Sequence, residues 1–218
     1  MFTNVLKAGY RGSLAHYLPH VTGSASLQAG DLHILETGIL NDINTVMAAG
    51  VPCQPNPLLQ HIAVGIHLWG GNTGRNAFVR DGGFALNCPL QDYAGMVELL
   101  MTHPKGVPVP HGNWRGIFAK LSCFRNIGVA FLTKHLAFWS RAAASPLEFP
   151  ILDSVIIQTF IAPGKLPTWK DYVPYVTALQ KERSIIACRP GLTGISILSM
   201  ERQLFNWANS GAANSWER

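Results

Sequence analysis

The sequence predicts a mostly α-helical protein, on three observations. Apolar residues recur at helical spacing through nearly all of the second half of the chain, and the strict alternation of a half-buried strand is rare. The composition is that of a well-buried globule, 48% hydrophobic with 13% charged residues over 218 positions. That length holds one domain with a full core, or one domain wrapped from two small lobes, and is cramped for two independent domains.

Residues 1 to about 40 mix Gly, Ser, His and short apolar runs without a sustained period and read as loop with some strand or helix. Asn41 then serves as a cap for a short helix over 42–49, ended by Gly50, and the prolines at 52, 55 and 57 force a loop. A helix over 58–69 follows. Five glycines between 70 and 83, with Asn72, Arg75 and Asn76 among them, make turn-rich chain of the kind that contacts ligands. Tyr93, Met96, Val97, Leu100 and Met101 give 90–102 a helical period, and three prolines between 104 and 110 end it in a linker that is the best place for a lobe crossing. Further helices are expected over 114–124, 130–141, 152–160, 168–183 and 194–209. Thr168 caps one of them with Asp171 at the third position beyond it. The division that follows is a poorly readable N-terminal segment, 1–60, and a helical domain, 61–218.

Seventeen Lys and Arg against twelve Asp and Glu leave a net charge of +5. The excess clusters, since Lys105, Arg115, Lys120, Arg125, Lys134 and Arg141 occupy a stretch without an acid. Such a run favours a polyanion, and a solvated basic face is its ordinary alternative. Cys53, Cys88, Cys123 and Cys188 are widely spaced with no C-x-x-C, and the Met-Phe-Thr-Asn start carries no leader signal, so reduced thiols in a soluble, cytoplasmic protein are expected. The apolar runs stop well short of the ~18 residues that a membrane span needs. No metal or cofactor is expected. His16 and His20 have the spacing of metal ligands, but Pro19 lies between them and no carboxylate or Cys completes a set. Gly70, Gly71 and Gly74 form neither a P-loop nor a dinucleotide fingerprint, and no serine sits in a G-x-S-x-G elbow.

The chemistry concentrates between Asn126 and Ser154. Arg125-Asn126-Ile127-Gly128 joins two expected helices in a hairpin, and both Asn126 and Gly128 tolerate φ > 0. A turn of this kind leaves N–H groups and the next helix N-terminus free to hold a phosphate; an ordinary αα-hairpin in a bundle core uses the same residues. Lys134 lies on the helix that follows. Asp153, in Pro150-Ile151-Leu152-Asp153-Ser154, comes nineteen residues after it at the start of another helix. A carboxylate there caps the helix and meets the positive end of its dipole.

These residues resemble the helix-hairpin-helix DNA glycosylase superfamily, and within it the bacterial proteins with an 8-oxoguanine-glycosylase fold. The likeness covers 60–210 in outline. It is sharpest at Ile-Gly-Val-Ala-Phe-Leu-Thr-Lys (127–134) and Ile-Leu-Asp-Ser (151–154), and weaker at Leu-Trp-Gly-Gly (68–71), at Trp169 with Tyr172 and Tyr175, and at Met-Glu-Arg-Gln-Leu-Phe (200–205). The resemblance implies a two-lobed helix-hairpin-helix fold, a monomer, and a partner in double-stranded DNA bearing a modified base. Asp153 matches the aspartate that stabilises the cationic sugar as the base departs. Lys134 matches the lysine that, in bifunctional members, attacks the anomeric carbon and forms a Schiff base leading to strand cleavage. Measured from the hairpin glycine, the usual lysine position falls instead at Ala130, so Lys134 sits on the same helix face about 6 Å further along the axis. Without Lys134 as nucleophile, Asp153 and water make a monofunctional enzyme that leaves an abasic site. The usual first hairpin glycine is Asn126 here. DNA contacts fall to Lys120, Arg125, Asn126, Ile127, Gly128 and Ala130.

An enzyme of this class takes its base out of the stack and needs a pocket with an aromatic surface to receive it. Trp69, Phe138, Trp139, Trp169 and Phe205 are candidates, although aromatics at helical spacing ordinarily serve the core. Asn72, Arg75 and Asn76 are placed to read a base edge or a sugar appended to the base. The expected function is a DNA N-glycosylase in bacteriophage defence, acting on a hypermodified base such as glucosylated 5-hydroxymethylcytosine. The alternatives are 8-oxoguanine repair, a non-catalytic DNA-binding module, and a helical interaction protein whose hairpin only packs.

Overall fold

The computed structural model describes residues 8–21, 27–50, 53–70, 90–102, 128–142, 149–186, 188 and 194–210. Helices carry most of them, and no strand occurs among the described residues. The chain is therefore mostly α. The helix expected over 114–124, the proline linker, the hairpin residues Lys120, Arg125, Asn126 and Ile127, and the loop residues Asn72, Arg75 and Asn76 lie outside the described residues.

The chain forms two compact units. Among the described residues the first unit contains four whole helices, α1 (Ala8–Tyr17), α2 (Ala29–Ala48), α3 (Pro57–Trp69) and α4 (Leu90–Thr102). The sequence expectation is corrected here, because most of 8–48 is helix and the stretch read as 42–49 is only the last part of the 20-residue α2. Asn41 is no cap but an interior residue, whose carbonyl accepts from the Thr45 hydroxyl. The helix was illegible because Gly30 and Gly38 lower its propensity, and its real start is set by Asp31, which accepts from the Gln28 N–H at 2.8 Å. Tertiary packing repays Gly38. A Cβ at Gly38 would meet the Tyr17 ring at 2.8 Å and one at Gly65 of α3 would meet it at 2.7 Å, so the two glycines let α2 and α3 close on either side of one phenol. Around it Leu14, Leu18, Leu35, Ile39, Ile43, Leu59, Ile62 and Ile66 are buried. α3 begins as its sequence dictates, with Pro57 at the first turn and the Asn56 side chain accepting from Leu59 N–H at 3.1 Å. The expected boundary near residue 60 falls inside α3, which packs against both α1 and α2.

The second unit holds α5 (Val129–Ala142) up to Ser140, a single turn α6 (Ser154–Ile156), α7 (Trp169–Ile186) and α8 (Ile197–Asn209). α6 runs on into a π-helical turn, Ile157–Ile161, closed by the Ala162 N–H on the Ile157 carbonyl at 2.8 Å. The uniform α-helix expected over 152–160 is thus corrected: Asp153 is its N-cap, and most of its length is π. α7 starts at the Thr168 cap, where Asp171 accepts from the Thr168 N–H at 3.0 Å. Gly194 takes a left-handed φ of 89° and precedes Ser196, whose side chain caps α8. Leu132, Leu136, Phe138, Trp139, Leu152, Ile156, Tyr172, Val176 and Ile197 form the core.

Candidate active site

Lys134 and Asp153 come together because four side chains clamp the extended segment before α6. Thr133 and Ser140, both buried on α5, accept from the N–H groups of Leu152 at 3.1 Å and Phe149 at 3.4 Å. From the other element, the hydroxyls of Tyr172 and Tyr175 donate to the carbonyls of Pro150 at 3.0 Å and Ile151 at 3.4 Å. Among the described residues the segment has no ladder partner, and these side chains satisfy four of its backbone groups. The Thr133–Leu152 bond is decisive for the site, since it ties the residue before Lys134 to the residue before Asp153. The result is a Lys134 Nζ to Asp153 Oδ2 distance of 3.8 Å. Lys134, four residues after Ala130 on α5, is thus brought to the carboxylate.

Asp153 is held at its other oxygen. Oδ1 accepts from Val155 N–H at 2.7 Å and Ile156 N–H at 3.4 Å, which leaves Oδ2 facing Lys134. The amine is less firmly held. Lys134 is 8% exposed, donates one long bond to the Ala130 carbonyl at 3.5 Å, and lies 5.0 Å from the centre of the Phe131 ring. Burial lowers its pKa from the ordinary lysine value, while Asp153 and then Glu201 pull it back up. An ammonium with three donors and so little compensation is less favoured in its charged form than an exposed lysine. His135, fully buried beside it, is pushed down to about 3 by burial and by the charge of Lys134, so it is neutral at any physiological pH.

Sequence reasoning missed Glu201. It is 7% exposed, at the centre of α8's core face between Ile197, Met200 and Leu204, and it makes no hydrogen bond or ion pair with a described residue. Burial and then the charge of Asp153 push its carboxyl up to about 7, against the opposing pull of Lys134 and Arg202. Glu201 also acts on Tyr172 and Tyr175, whose hydroxyls are raised mainly by burial. A signal for it existed in the sequence: an acid where an amphipathic helix should carry an apolar residue.

The remaining candidates separate. Gly128 is exposed, and its carbonyl accepts from Phe131 and Leu132 N–H groups at 3.0 and 3.2 Å, making it the residue from which α5 springs. Its φ is not left-handed, unlike those of Gly50, Gly164 and Gly194. Ala130 is half-buried one turn before Lys134 and supplies the carbonyl that the amine uses. Phe138 and Trp139 are 3% and 1% exposed and belong to the core, which corrects their reading as base-receiving surfaces. Trp169 is half-buried and meets Tyr172 edge-on at 5.9 Å, and Phe205 is half-buried one turn beyond Glu201. Trp69, half-buried at the end of α3, belongs to the first unit. Arg141, counted in the basic run, is paired with Glu36 of α2. In the first unit His16 pairs with Asp42 at 2.9 Å and His20 with Asp31 at 3.2 Å, and no group of three potential metal ligands occurs among the described residues. No described helix is long and apolar enough to cross a membrane. No protein-family model matches this chain, and neither a curated protein nor a solved structure gives a match.

Proposed function

We propose that this protein is a DNA N-glycosylase that extrudes a modified base and cleaves its N-glycosidic bond, with Asp153 and Lys134 as its catalytic pair. The supporting observation is the buried, under-bonded amine of Lys134 at 3.8 Å from a carboxylate whose other oxygen is fixed by two backbone N–H groups. A positive charge developing on the sugar would be met by Asp153 Oδ2, which costs no reorganisation because the side chain is already locked. Lys134, desolvated and lowered in pKa, supplies the lone pair that attacks the anomeric carbon as the base leaves with the electrons of its bond. Both groups reach one sugar carbon from their observed separation.

The resemblance in the hairpin and in the Lys134–Asp153 spacing suggests a bacteriophage-defence role on a hypermodified cytosine, with 8-oxoguanine repair as the alternative. The test is abasic-site formation on three duplexes: unmodified, 8-oxoguanine-containing, and phage DNA carrying glucosylated 5-hydroxymethylcytosine. Abasic sites in one modified DNA, abolished by Asp153→Asn, support the proposal and name the base. Asn keeps a cap acceptor and removes the charge, so retained activity in that variant refutes the assignment. Strand breaks without heat or alkali, lost in Lys134→Ala, give Lys134 its covalent role.

A further inference from the structure

We infer that Glu201 is a third member of the Lys134–Asp153 site, acting through Lys134 as a charge-setting residue: ionised, it holds the amine protonated, and neutral, it releases it. The inference rests on the catalytic reading of Lys134 given above. Three features of Glu201 carry it. It is a carboxyl on the core face of an amphipathic helix, where an apolar side chain would pack at no desolvation cost. It has no hydrogen-bond or ion-pair partner among the described residues, so it does not serve as a structural tie. α8 packs against the turn capped by Asp153 and against α7, which carries Tyr172 and Tyr175, and Asp153 in turn stands 3.8 Å from the Lys134 amine, so the buried Glu201 shares a charge interaction with each of these groups.

The groups facing Glu201 are Lys134 from α5, Asp153 from the α6 turn, Tyr172 and Tyr175 from α7, and Arg202 beside it on α8. Both tyrosines are raised and stay neutral near pH 7. The group of this cluster that titrates in that range is therefore Glu201, and the charge it gains acts on a Lys134 amine whose pKa burial already lowers. With Glu201 ionised, the amine faces two carboxylates and holds its proton more tightly. With Glu201 protonated it faces one. As pH rises, the ordinary tenfold gain in free amine per pH unit is offset by ionisation of Glu201, which takes place near 7. The pair thereby levels the supply of nucleophilic amine across neutrality. The proton balance is local: Lys134 Nζ loses a proton, its lone pair forms the bond to the anomeric carbon, and the base leaves with the electron pair of the broken C–N bond and takes up one proton.

The sign of the effect is opposite to that of a general base, which makes it testable. In the full-length protein without DNA, 13C-NMR titration of the Lys134 side chain, assigned by its loss in Lys134→Arg, reads the amine directly. Glu201→Gln should lower the Lys134 midpoint by about one unit, and the wild-type resonance should show an additional inflection near 7 that the variant lacks. Borohydride trapping on a duplex oligonucleotide with a natural abasic site gives the functional readout. The ratio of Glu201→Gln to wild-type trapping should be near one at pH 6 and rise above one, by at most about tenfold, as pH passes 7. Identical Lys134 titrations, or a wild-type titration without the inflection near 7, overturn the inference, and the second result needs no variant. Slower trapping in Glu201→Gln at high pH also overturns it and makes Glu201 a proton acceptor instead. Absence of trapping by any form, with the NMR shift present, overturns the covalent role of Lys134 and leaves the charge coupling standing.

Discussion

Replacing Thr133 with Val probes the connection on which the candidate site depends. Val matches Thr in shape and keeps the α5 surface packed, but it deletes the acceptor for the Leu152 N–H at 3.1 Å and the donor to the Ala130 carbonyl at 3.2 Å. Ala130's carbonyl remains within its helix. The Leu152 N–H has no second acceptor shown and sits beside a side chain that is 0% exposed, so it pays the desolvation cost of an unmade bond, about 1–3 kcal/mol. Ser140, whose bond to Phe149 is longer at 3.4 Å, should cost less when changed to Ala. The assay is urea denaturation followed by tryptophan fluorescence, to which the buried Trp139 of the second unit contributes beside the other five tryptophans, with Trp139→Phe as the control that isolates its signal. We expect Thr133→Val to lose about 2 kcal/mol and Ser140→Ala less than half of that. The same bond registers Lys134 against Asp153, so Thr133→Val should also slow abasic-site trapping more than Ser140→Ala does at equal folded fraction. A Thr133→Val loss below about 0.5 kcal/mol, with unchanged trapping, refutes the reasoning that side-chain hydroxyls hold the extended segment in register.

Other outcomes follow from the same geometry. Glu201 has a raised folded pKa, about 7 against an ordinary 4.5, so the stability it contributes is fully present below 4.5 and is lost as pH rises through 7, on the order of 3 kcal/mol; Glu201→Gln should be more stable than the wild type at pH 8 and should lack that decline. His135 runs the other way. Its folded value near 3 means that its contribution is present above 6.5 and lost as pH falls toward 3, and His135→Gln should resist acid unfolding in that window if the amide is accommodated by the same partners. Gly38→Ala and Gly65→Ala each drive a methyl into the Tyr17 ring and should cost about 1–3 kcal/mol by thermal denaturation, whereas Gly30→Ala, in the first turn of α2 with nothing within 4 Å, should be neutral to stabilising, by up to about 1 kcal/mol of helix propensity. Equal effects at all three glycines would sink the account of α2 and α3 closing on Tyr17.

The sequence by itself determined the helical class, the starts of α3, α7 and α8 to within three residues, and the pairing of Lys134 with Asp153 as the place to look. Those features are local. Caps, prolines and apolar periods act over a few residues, and a motif keeps its spacing whatever surrounds it. Only the tertiary structure decided that α2 extends back to Ala29, because the compensation for its glycines comes from Tyr17, another element's ring. It likewise assigned Phe138 and Trp139 to the core and Arg141 to Glu36, since helical spacing says which residues share a face but not what that face meets. The site shows the division most clearly. Lys134 and Asp153 were legible as a pair, but their 3.8 Å separation depends on hydroxyls of Thr133, Ser140, Tyr172 and Tyr175 that bond only once α5, α7 and the extended segment are assembled. Glu201 joins them from α8, far along the chain, because folding puts its charge where burial and Asp153 both oppose it. Electrostatics of that kind is a property of distance and dielectric in three dimensions, which no one-dimensional pattern contains.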